Sequence, residues 1–162
     1  MPTLRPPTVP RALSLAILGL LLSGCTVITG PDDAWDREQR DLSRARRTWS
    51  TSFIEDYEFV VRRNCFCLMG GVAVRVVVQR DVVVAREIDG TSTPVPSGLA
   101  YLYPSIDGIF SVIQDAIDTR AYQIDASYDG RYGFPIDVYI DYERRAVDEE
   151  QGYTMLRFRA LP

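Results

Sequence analysis

The chain has no histidine and no lysine, and all 18 of its basic residues are arginine. Without histidine there is no Ser-His-Asp or Cys-His site and no imidazole ligand for a metal. Without lysine there is no Schiff base, no Ser-Lys pair and no phosphate-loop lysine. Cysteine is scarce too, with Cys25, Cys65 and Cys67 the only three. After residue 25 no apolar run approaches the roughly 20 residues that cross a bilayer. Carboxylates, tyrosines, arginines and thiols are left to do any chemistry, which removes most hydrolase and transferase mechanisms. The expectation is a protein that is not an enzyme and carries no cofactor.

The opening residues carry the clearest pattern. Arg5 and Arg11 precede the apolar or small residues 12–22, and no acid occurs before Asp32. A basic start, a short apolar stretch and a small-residue junction make an export signal. The junction Leu22-Ser23-Gly24-Cys25 resembles the lipobox of bacterial lipoprotein signals. That resemblance implies cleavage between Gly24 and Cys25 and lipidation of Cys25. The competing reading is an ordinary secretory signal with a chance cysteine. On the lipobox reading, residues 1–24 are a signal peptide, 25–33 a lipidated tether and 34–162 a single domain. The partners are then the membrane, through the lipid on Cys25, and an unknown envelope protein or peptide. Thr26 in place of aspartate resembles lipoproteins of the outer membrane, which places the protein on its periplasmic side if the cell has two membranes. Residues 26–33 would reach about 30 Å at most when extended, so the domain stays near the bilayer.

Removing residues 1–24 leaves 16 arginines against 22 acids, a net charge of −6 on 138 residues. A chain of this size can bury a core as one domain, and its acidity argues against nucleic acid as a partner.

Periodicity organises the rest. Trp35, Leu42, Ala45 and Trp49 share one stripe of a helix running from about Pro31 to Ser50, with acids at its start and arginines near its end. Alternation predicts strands at Tyr57–Arg62, Val72–Gln79 and Val82–Ile88, then a Pro/Ser/Gly/Thr-rich loop, Asp89–Gly98. Ser105 is placed to cap a second helix whose Ile106, Ile109, Phe110, Ile113 and Ile117 follow helical spacing. Strands Tyr122–Tyr128, Ile136–Tyr142 and Tyr153–Arg159 complete the chain. The expected fold is α+β, an antiparallel sheet of about six strands with both helices on one face, in the order α-β-β-β-α-β-β-β.

With Cys25 committed to lipid, Cys65 and Cys67 have only each other within the chain. A disulfide is the first expectation in an oxidising compartment. In a regular strand their α-carbons would lie about 6.6 Å apart, near the limit for a bridge, so a kink is required and Met69-Gly70-Gly71 offers it. A redox-active pair, a metal site with outside ligands and free buried thiols remain alternatives. Tyr128–Ile136 joins two strands through turn chemistry. Asp129, Arg131, Tyr132 and Phe134 form a candidate contact surface there, against the alternative of a purely structural turn. Asp137, Asp141, Asp148, Glu149 and Glu150 lack the spacing of a calcium loop, and no metal site is assigned.

Several of these elements occur together: Trp49 and Tyr57, Cys65-x-Cys67, the helix entry Ser105–Phe110, Tyr128-Asp129, Gly133-Phe134-Pro135, Asp141 and Asp148-Glu149-Glu150. Their order over about residues 35–160 resembles a family of small bacterial lipoproteins and secreted proteins known only as a domain of unknown function. The resemblance implies that Cys65/Cys67 and the Gly-Tyr/Phe-Pro element, here Gly133-Phe134-Pro135, belong to a shared scaffold; it carries no catalytic residues. The leading expectation is a membrane-anchored, non-enzymatic envelope lipoprotein that binds a protein or peptide. The alternative is a thiol-redox or metal-linked role for Cys65 and Cys67.

Overall fold

A computed structural model describes residues 32–162 apart from Val147. The signal peptide, the Gly24–Cys25 junction and the tether up to residue 31 lie outside the described residues.

Helix α1 (Asp32–Ser50) forms where the apolar stripe predicts it, with Leu42, Ala45 and Trp49 buried and Trp35 packed partly against the core. Strands β1 (Tyr57–Asn64), β2 (Ala73–Gln79) and β3 (Val82–Ile88) form one antiparallel meander. Helix α2 (Ile106–Asp118) follows, and the Ser105 side chain accepts a 3.2 Å hydrogen bond from the Gly108 amide as its cap. Strands β4 (Gln123–Tyr128), β5 (Pro135–Asp141) and β6 (Gln151–Ala160) form a second meander. β1 pairs with β6, so the two meanders fuse into a six-stranded antiparallel sheet of order β3-β2-β1-β6-β5-β4. Fold class and element order are those read from the sequence.

The helices cover one face. Tyr57, Phe59 and Val61 of β1 meet Val74, Val76 and Val78 of β2, Val138 and Ile140 of β5, and the buried isoleucines of α2. The Asp89–Gly98 stretch is more ordered than a plain loop: Pro94 bridges to Glu87 and Val95 is buried. Together with a 3-10 turn at Ser97–Leu102 and the fully buried Tyr103, it closes the core beside β2 and β3. The opposite face carries polar side chains at most positions, as alternation requires. Val60 departs from that rule, being 3 % exposed on the face away from the helices.

Candidate functional site

Two places gather the residues singled out above, and a third lies on the open face of the sheet. At the Tyr128–Ile136 connection, Asp129 Oδ1 accepts hydrogen bonds from the Arg131 and Tyr132 amides, at 3.0 and 2.6 Å. The Gly133 amide donates to the Asp129 carbonyl and the Asp129 amide to that of Phe134. Gly133 has φ +82°, and a β-carbon there would lie 2.4 Å from the Ala45 carbonyl oxygen of α1. Glycine is therefore needed twice over, for its conformation and for the approach of the helix. Phe134 is buried, stacked 4.5 Å from Phe158 and edge-on to Trp49. Trp49 also meets Tyr57 edge-on at 5.2 Å and donates from Nε1 to Asp107 at 3.3 Å. Of the four candidate contact residues, Phe134 thus belongs to the core and Asp129 holds the turn together. Arg131 is exposed and lies 4.8 Å over the half-buried Tyr132 ring.

Next is the β1–β2 connection. The Cys65 and Cys67 sulfurs lie at disulfide distance, with α-carbons 5.3 Å apart. β1 ends at Asn64, and the chain then turns tightly, with the Gly70 amide bonding to Cys67 O and the Gly71 amide to Arg63 O. A β-carbon on Gly70 would fall 2.3 Å from Cys65 O, so this glycine permits the kink that a Cys-x-Cys pair requires. Phe66 and Leu68 project outward, 82 % and 70 % exposed.

Arg63 lies beneath this tip, 8 % exposed. Its Nη1 is 3.6 Å from Cys67 Sγ, and its Nη2 donates to Gln151 Oε1 at 3.4 Å. The guanidinium also sits 5.8 Å from the Tyr153 ring. Burial pushes the Tyr153 phenol above its ordinary range, and the nearby Arg63 charge opposes that shift. The Tyr103 hydroxyl donates to Met69 O at 3.1 Å, fixing the far side of the tip.

On the open face of the sheet, Val60 is flanked across the strands by Arg75 of β2 and Arg157 of β6. Arg75 pairs with Glu58 and Glu87, Arg159 with Glu58, and Arg157 reaches past β1 to Asp89. Hydrogen bonding to Glu87 holds the Arg75 guanidinium above its usual range. Together with Phe59 and Phe158, these residues line an open groove of about 460 Å³. The acids Asp137 and Asp141 lie on β5, whereas Asp148, Glu149 and Glu150 precede or begin the approach to β6. Among the described residues, no three acids or cysteines gather closely enough to hold a metal ion.

Sequence reasoning found the cysteine pair and the turn but missed Arg63 and the groove. Arg63 did leave a signal: it shares the alternation of Tyr57, Phe59 and Val61, which places it on the buried face. The groove left none, because it depends on β6 lying beside β1.

No curated protein and no solved structure matches the chain. One family model does, over residues 41–160. That span takes in every strand, α2, the cysteine tip, the Gly133 turn and the groove, so the chain belongs to this family of unknown function (DUF6174).

Proposed function

We propose that the protein is a membrane-anchored envelope lipoprotein whose domain serves as a binding module, not as an enzyme, and holds another envelope protein or a peptide in the open-face groove. The groove over Val60 carries this reading. It joins an apolar floor to arginines whose outer surfaces stay free, since Arg157 and Arg159 are about two-thirds exposed. Arginine side chains around a desolvated floor are frequent anchors of protein interfaces. The anchor rests on Arg5, Arg11, the apolar run 12–22 and the Leu22-Ser23-Gly24-Cys25 junction.

A photo-crosslinking residue at Val77, beside Glu58 in the register, tests the groove in intact cells. One discrete adduct is expected, lost in the Arg157→Glu/Arg159→Glu double variant and absent when the crosslinker sits at exposed Asp118. Equal labelling from Val77, from Val77 in the double variant and from Asp118 would end the groove assignment. The anchor is tested separately by palmitate labelling, which Cys25→Ser should abolish along with membrane flotation.

A further inference from the structure

Arg63 is a buried cation with no carboxylate among its described partners. Its neighbours are Cys67 Sγ, the Gln151 amide and the Tyr153 ring, and its Nε atom has no hydrogen-bond partner. Gln151 is itself held by the Tyr142 hydroxyl at 3.2 Å from its amide nitrogen, which leaves its oxygen to face the guanidinium. A buried charge without a counterion is unfavourable, and proteins normally supply one. Of the atoms touching Arg63, only the Cys67 sulfur can become an anion near neutral pH, by reduction of the disulfide to a thiolate.

We propose that Cys65–Cys67 is a thiol–disulfide exchange site for a dithiol, in which Arg63 receives Cys67 as the thiolate leaving group. One thiolate of the incoming dithiol attacks Cys65 Sγ and forms a mixed disulfide. The Cys65–Cys67 bond breaks, and its electron pair stays on Cys67 Sγ, against the guanidinium. The second thiol of the dithiol then loses its proton and attacks its own sulfur in the mixed disulfide. Cys65 leaves and takes up a proton. The dithiol is oxidised to a disulfide and the protein pair is reduced, once per molecule. Leaving-group stabilisation speeds such exchange and shifts its equilibrium toward reduction. The attacked Cys65 is half-buried, at a tip where Cys67, Phe66 and Leu68 are exposed and the last two offer apolar contact on the outer side. This proposal is independent of the groove.

The protein as isolated in detergent micelles, equilibrated with glutathione buffers and quenched by alkylation, provides the test. Arg63→Gln should hold its disulfide about tenfold more strongly than wild type, about 30 mV in potential. In the reduced wild type, peptide mapping should find Cys67 alkylated at lower pH than Cys65, and Arg63→Gln should remove that difference. Arg63→Lys keeps a cation and should retain the low-pH reactivity, which a purely structural role for Arg63 would not predict. Should the glutamine variant misfold, the lysine variant decides. A natively folded Arg63→Lys protein with two equivalent thiols overturns the proposal. So do identical glutathione equilibria in wild type and Arg63→Gln, or Cys65 being the low-pH thiol.

Discussion

Replacing Gly133 by alanine puts the most specific geometric claim at risk. A residue with a β-carbon in the left-handed region costs about 1–2 kcal/mol, and Gly133 has φ +82°. The added methyl would lie 2.4 Å from Ala45 O and 2.8 Å from Thr48 Cβ, both on α1, so either the helix or the turn must move. Overpacking of that kind costs about 1–3 kcal/mol more. Gly71 is the internal control, with a similar φ of +79° and nothing within 4 Å of its would-be β-carbon. Gly71→Ala should therefore lose only the conformational part, about 1–2 kcal/mol, while Gly133→Ala should lose about 2–5 kcal/mol. Urea unfolding followed by tryptophan fluorescence measures both. With a slope of about 1–3 kcal/mol per molar urea, the Gly133 variant should unfold at a clearly lower midpoint than the Gly71 variant. Equal midpoints would show that α1 does not bear on the turn, and the packing argument would fail.

Other expectations follow from single contacts. Ser105→Ala removes the cap of α2 and should cost about 1 kcal/mol, read as a lower urea midpoint with an unchanged slope. Phe134→Ala should cost about 3–5 kcal/mol as a core truncation. Arg131→Ala, three residues earlier on the exposed turn, should stay within about 0.5 kcal/mol of wild type, and similar losses for the two would contradict their placement. Burial raises the phenol pKa values of Tyr57, Tyr103, Tyr128 and Tyr153. Their neutral forms thus stabilise the fold fully below the unfolded value of about 10, and that contribution is lost as pH rises through the higher folded values. Absorbance at 295 nm should show their ionisation coinciding with loss of near-ultraviolet circular dichroism. Ionisation of all four with the fold intact would refute their burial.

The elements were legible in the sequence wherever burial imposes a short period. α2 announced itself through five apolar residues at helical spacing behind a serine cap, and each lies buried as expected. β1 and β2 were visible in their alternating side chains. What alternation cannot encode is which strands meet. The β1–β6 pairing joins residues about a hundred positions apart, and both the groove and the covered state of Val60 come from it. Phe134 was misplaced for a related reason. Glycine, arginine and proline around it signal a turn, but its inward direction depends on the α1 backbone lying against Gly133. Arg63 was overlooked because a basic residue within a strand is normally assigned to solvent, whereas here its register position places it under Cys67.

The pairing of β1 with β6 also sets the order in which the molecule can be completed. Until residues 151–160 arrive, β1 presents an unpaired edge along Tyr57–Asn64, with Val60 exposed and valine-rich β2 beside it. Such an edge is a template for pairing with other chains. The ten-residue strand β6 therefore acts as the seal of the sheet. Any chain in which β1 to β5 have formed before β6 docks exposes that edge to self-association.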